Sequence, residues 1–264
     1  MAIAGKGLAI GLALLLVGCA VQGPAPADDA EDLALLADFR RAAYGSGRPP
    51  LGNDGQARAR RDHLAKWEIP IRAALLGEGV DERAASQEHL ADLAALTGLA
   101  IGAAPVETAN LLIFFADDPF AAALRHRGLY AHRIADARSF DALLARMAPG
   151  GPCFGFLWGG WPSGQGIDFS VVFIRTDRGA RTVQGCLVQE TTQILGLLND
   201  LDPAADSVLS DSGRQVALTE QDRLMLRLLY DPRLRPGMGW AEAEPLARAA
   251  LHDLRAETGG AAAR

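Results

Sequence analysis

The run ETANLLIFFAD (residues 107–117) rules out most folds open to this chain. Leu111 to Ala116 is apolar without interruption, and that pattern reads as a strand buried in a sheet. A buried strand needs layers packed over it, and the neighbouring segments have the period to supply them. KWEIPIRAALLG (66–77) reads as a strand in which Trp67, Ile69 and Ile71 alternate, with Pro70 suggesting a sheet edge. DERAASQEHLADLAALTGLAIG (81–102) has the helical period through Ala85, Leu90, Leu93 and Leu96, with Asp81 placed to cap it. Two short helices follow in DPFAAALRHRG (118–128) and SFDALLARMAPG (139–150). CFGFLWGGW (153–161) and IDFSVVFIRTD (167–177) read as two more strands, joined by a hairpin around Pro162–Gly166. LTEQDRLMLRLLYD (218–231) starts as a capping box on Thr219 and Asp222, and WAEAEPLARAALHDL (240–254) is a last helix. The expected fold is α+β with an α/β-like core: a mixed sheet of four to five strands backed by two long helices, with further helices at the C-terminus.

The first residues have a different purpose. One lysine in MAIAGKG precedes an apolar run, LAIGLALLLVG, that is too short for a mature membrane helix. It ends in LVGC (16–19), which resembles the lipobox of bacterial lipoprotein signal peptides. The resemblance implies a signal peptide over residues 1–18 and lipidation of Cys19, hence a lipid membrane as partner. Ala20 after the cysteine points to the periplasmic face of the outer membrane. Residues 19–31 are a Pro/Ala/acidic tether without the means to form a core. In an exported protein the remaining cysteines, Cys153 and Cys186, form an even pair. They are read as a disulfide tying a strand to a helix start, with two buried thiols as the alternative.

Net charge of −6 argues against nucleic acid, because neutralising phosphates requires a basic surface. The arginines of QARARRDHLAKW (56–67) are interrupted by Asp62 and read as a solvated face. Five scattered histidines include no pair at metal-ligand spacing on one helix. Ser163 lacks the strand–turn–helix setting of a serine nucleophile, and the glycines around it lack a phosphate-loop lysine.

One stretch carries a chemical pattern. In CLVQETTQILGLLND (186–200), Gln189 and Gln193 lie one helical turn apart, Glu190 follows the first, and Gly196 stands where a helix must end before Asn199. The spacing resembles that of metzincin-type zinc peptidases, in which a glutamate beside the first ligand activates zinc-bound water. Laid on that motif, Glu190 and Gly196 match, whereas Gln189, Gln193 and Asn199 occupy the three ligand positions. WEIPIR resembles the first strand of zincin domains, and LTEQDRLMLRLLY resembles the closing helix of matrixins. The motif together with LTEQDRLMLRLLYDPRLRPGM is similar to a bacterial domain of unknown function numbered twenty-nine twenty-seven, which implies no activity.

The resemblance implies a zincin-like domain over residues 66–238, preceded by a helix and linker (32–60) and followed by a helix and disordered tail (239–264). Amide oxygens are weak ligands beside imidazole, so zinc is not expected, no other cofactor is implied, and Glu190 becomes vestigial. The three amides are expected to bond one another in the vacated site. Trp158 and Trp161 are candidates for the rim of a groove that binds an envelope protein or peptide. Two alternatives stand beside this reading: a hydrolase using Glu190 with a metal gathered by Asp200 or Asp202, and a structural envelope scaffold.

Overall fold

The computed structural model describes residues 30–44, 63–77, 79–133, 137–147, 151–159, 166–210 and 212–262. The signal-peptide and tether segments, and with them Cys19, lie outside the described residues, as does Trp161. The chain runs α1 (Ala30–Tyr44), β1 (Ile71–Leu76), α2 (Val80–Thr97), β2 (Ile101–Ala103), β3 (Leu111–Ala116) and α3 (Pro119–Arg125). It continues through α4 (Ala137–Arg146), β4 (Cys153–Gly159), β5 (Ile167–Arg175), α5 (Ala180–Gln193), α6 (Glu220–Leu229) and α7 (Trp240–Ala262). Among the described residues no helix is long and apolar enough to cross a membrane.

The five strands form one mixed sheet of order β2-β1-β3-β5-β4. β2, β1, β3 and β5 are parallel, and β4 pairs antiparallel with β5 at one edge. β3, the uninterrupted apolar run, lies at the centre, where both faces are covered. Leu111, Ile113 and Phe115 meet the core under α2, α5, α6 and α7, while Leu112 and Phe114 meet the core beneath α3 and α4. The helices α1 and α7 belong to that first core, with Trp240 packed against Phe39 and Tyr44.

Three details differ from the sequence reading. β1 is not an edge strand: it has β2 on one side and β3 on the other. Pro70 sits just before it, where no ladder hydrogen bond is needed, and its carbonyl accepts from Asn110 Nδ2 at 3.0 Å. The cap of α2 is Gly79, whose N–H donates to Glu82 at 3.0 Å; Asp81 falls within the first turn. The helix at the C-terminus continues to Ala262, past the point where a disordered tail was expected.

The Thr219/Asp222 capping box forms, and the buried Asp222 carboxylate also takes hydrogen bonds from Ser207 Oγ and the Val208 N–H. Those extra bonds anchor the loop between α5 and α6 to the start of α6.

Candidate functional site

Helix α5 is fastened to the antiparallel edge of the sheet at two successive points. Cys186 faces β4 and forms a disulfide with Cys153, their Cα atoms 5.6 Å apart. Closing a loop of 33 residues restricts the unfolded chain by roughly 4 kcal/mol in the chain-entropy model. One turn further along, Glu190 meets β4 at Gly155. Four helical residues rise about 6 Å and two strand residues about 6.8 Å, so helix and strand stay in step. Gly155 makes the approach possible, because a Cβ there would lie 2.5 Å from Glu190 Oε2. Glu190 is 3% exposed, its carboxylate lodged between helix and strand rather than presented to solvent. A general base needs its carboxylate within reach of a water or substrate.

The end of α5 is held as firmly. After Gln193 the backbone turns through Gly196 at φ +127°. Near that turn the last carbonyls of the helix would be orphaned, and side chains satisfy them. Trp67 Nε1–H donates to the Ile194 carbonyl at 2.8 Å, and the Tyr230 hydroxyl donates to that of Leu195 at 2.8 Å. The same hydroxyl accepts from the Trp67 N–H at 3.2 Å, linking strand approach, helix end and α6.

Lys66 completes this clamp. Its ammonium donates to the Leu229 and Asp231 carbonyls at 3.1 and 3.3 Å and lies 5.4 Å from the Tyr230 ring centre. Burial lowers its pKa to about 8, with the nearby Glu68 and Asp231 opposing the shift. A cation at the C-terminal end of α6 complements that helix's dipole.

On the side of α5 turned toward α2, Thr191 Oγ1 donates to the Leu187 carbonyl and so accepts from His89 Nε2 at 2.9 Å. Burial drives the His89 pKa down to about 4, which keeps the ring neutral and donating. His89 is thus a core residue of the helix interface. Its pairing with Thr191 could not be read from spacing, since the partners are 102 residues apart.

The amides do not behave as a set of three. Gln189 and Gln193 are half-buried and one turn apart on the helix. Gln193 Nε2 donates to Asp200 Oδ1 at 2.7 Å. Asn199 is drawn away: its Nδ2 and its N–H both donate to the Ala42 carbonyl of α1, at 2.8 and 3.1 Å. The expected bonding of the three amides to one another is therefore replaced by an acid two residues after Leu198 and by a carbonyl from the N-terminal helix. The α1 contact had no local signal, because it closes across 157 residues.

These donors do not fit the zinc ion that the metzincin spacing implies. Two of the three amides are committed to other partners, and among the described residues no group of three His, Cys, Asp or Glu is arranged to hold a metal. Asp200 is bonded to Gln193, and Asp202 caps its own turn by accepting from the Ala204 N–H at 2.9 Å. Trp158, a candidate for a groove rim, lies on the sheet face away from α5, 9% exposed and 5.8 Å from the Phe169 ring. Met225 is packed in the core of α6, and Met238 Sδ accepts from the Arg235 N–H in a tight turn.

Fold and site together define a mixed α/β domain in which a disulfide-tied helix, its end held by Trp67 and Tyr230, lies against an antiparallel edge strand. The chain belongs to the family described as "Protein of unknown function (DUF2927)", which matches residues 31–249. The match begins at α1 and ends inside α7, so the outer helices are part of the family's domain. Among curated proteins no sequence matches the chain.

Proposed function

We propose that this is a lipid-anchored, exported domain of zincin-like framework that has no peptidase activity and binds an extended peptide of an envelope protein along β4. Lipidation at Cys19 rests on the LVGC sequence, and the zincin-like framework rests on the Gln189-to-Asn199 spacing together with the resemblance of WEIPIR and LTEQDRLMLRLLY. The observation that carries the peptide reading is the edge itself. β4 pairs with β5 alone among the described strands. The Arg175 N–H donates to the Pro152 carbonyl at 2.8 Å, which fixes the antiparallel alternation. Phe154 and Phe156 therefore direct their N–H and C=O groups at β5, and Gly155 and Leu157 direct theirs outward. An edge of this kind is a template for strand addition, with affinity from main-chain hydrogen bonds. Gln189 on the adjoining helix supplies an amide for side-chain selection, and the buried Glu190 is a structural acid.

Leu157→Pro tests the reading, since it deletes one outward donor and leaves the inward ladder to β5 intact. A random extended-peptide library is titrated against the full chain by fluorescence anisotropy. Peptides bound by the wild type are expected to lose at least about tenfold in affinity to Leu157→Pro, and also when their own backbone amides are N-methylated. A library that yields no ligand, or ligands indifferent to both changes, refutes strand addition at β4.

A further inference from the structure

A second site lies on the other side of the sheet, independent of the β4 reading. β2 ends at Ala103, whereas β1 runs on beside β3 to Leu76. Up to that point the β1–β2 ladder is regular. The Ile71 N–H donates to the Ala100 carbonyl at 2.9 Å, and the Ala104 N–H donates to the Ala73 carbonyl at 2.9 Å. Parallel pairing on one side of a strand uses every second residue, so Leu75 is the next to turn its N–H and C=O that way. The β3 side takes the alternate residues, as the Asn110 N–H donating to the Arg72 carbonyl shows. Among the described strands none meets β1 at Leu75 on the β2 side.

The place where β2 would continue is a cavity of about 690 Å³, inside the range of roughly 300–1,000 Å³ typical of small-molecule sites. The sequence makes this space by being small. Ala74, Ala91 and Gly102 line the cavity where larger side chains would fill it, and a Cβ added at Gly102 would meet no heavy atom within 4 Å. Leu90 of α2 gives it an apolar wall on one face of the sheet, and Phe114 does so on the other. Ala104 and Val106 close the near end, which limits the slot to a short molecule rather than a through-running strand.

The charges at the rim do not select a charged ligand. Arg83 already has an interaction partner within the protein. Arg125 also borders an adjoining space of about 400 Å³ that holds the Asp117 and Asp118 carboxylates. The polar groups turned into the apolar slot by the ladder itself are the N–H and C=O of Leu75. A main-chain pair at a sheet edge is a template for another donor and acceptor arriving together.

We propose that this slot binds a small, uncharged apolar amide, whose N–H and C=O pair with the main chain of Leu75 and extend the ladder where β2 stops. Paired residues of a sheet share a face, so the side group of the ligand lies beside Leu75, toward Leu90 of α2.

N-acetyl-phenylalanine methylamide has this chemistry, because when extended it offers one donor and one acceptor along each edge. It is titrated into the full chain by calorimetry beside two relatives. The form methylated on both amide nitrogens keeps the apolar body and the carbonyls but has no N–H, and N-acetyl-phenylalanine carries a carboxylate. The blocked amide is expected to bind at least about tenfold tighter than either, since one relative leaves the Leu75 carbonyl without a donor and the other brings a charge into an apolar slot. In the 15N-labelled protein saturated with the blocked amide, the Leu75 N–H is expected to exchange with solvent at least about tenfold more slowly. Absence of binding, equal affinity for the N-methylated form, or equal or tighter binding of the carboxylate overturns the proposal. So does unaltered exchange at Leu75, including the case in which Gly155 and Leu157 are protected instead and the ligand lies on β4.

Discussion

Gly196→Ala is expected to destabilise the protein by roughly 4 kcal/mol, seen as a fall in the urea midpoint and a drop in Tm of about 10 °C. Two independent costs meet at this residue. Its φ of +127° is a conformation that L-residues rarely adopt. A Cβ there would also lie 2.2 Å from the Ala65 carbonyl oxygen and 3.1 Å from Leu229 Cδ2. The first contact is with backbone, so relief requires the segment before β1 to move, and Lys66 and Trp67 in that segment hold α6 and the end of α5. Gly98→Ala is the matched control. Gly98 has φ +71° but nothing within 4 Å of a Cβ, so its substitution is expected to cost only about 1 kcal/mol. Equal losses from the two substitutions would mean that close approach to Ala65 contributes nothing.

Trp67→Ala is expected to cost about 4 kcal/mol through lost packing, with roughly 1 kcal/mol more from the Ile194 carbonyl left without its donor. Trp67 is 1% exposed and among the largest fully buried side chains. Its ring fills the junction of the β1 approach, the α5 terminus and α6, and its Nε1–H closes the end of α5. Trp67→Phe separates the two contributions, since it keeps much of the ring volume and removes the donor. Chemical denaturation of the three proteins is expected to rank them wild type, then Phe, then Ala. A Phe variant as unstable as the Ala variant would assign the effect to the hydrogen bond rather than to packing.

Much of the architecture was legible because it is written in periodicity. The uninterrupted apolar run of β3, the helical period of α2 and the Thr219/Asp222 box each produced the element they specify. The pairing of Cys153 with Cys186 followed from the two being the remaining cysteines, and the structure gives it a position: the start of β4 against the helix carrying Glu190. Gly196 was legible as the residue that ends that helix, although the reason it must be glycine, the Ala65 carbonyl, lies 131 residues away in sequence.

What escaped the sequence depends on long-range packing. Pro70 suggested an edge, but a proline just outside a strand carries no information about how many neighbours the strand acquires. Trp158 suggested a groove rim because it is an aromatic in a glycine-rich run, yet strand alternation turns it to the far face, onto Phe169. The amides of Gln193 and Asn199 found partners in Asp200 and in α1, and only the fold decides which polar groups come within reach. The cavity beyond β1 and β3 was hidden for the opposite reason: it is made by small residues, and alanines at a strand end have no pattern of their own.

The central claim is that this framework carries amides where a zinc peptidase carries imidazoles and works without the ion. Its most direct test is the metal content of the purified full-length protein after growth in zinc-supplemented medium, measured by mass spectrometry against protein concentration. The account predicts zinc at the level of the buffer blank, unchanged by Gln193→Ala. One zinc per chain, lost on substitution of Gln189 or Gln193, would contradict it.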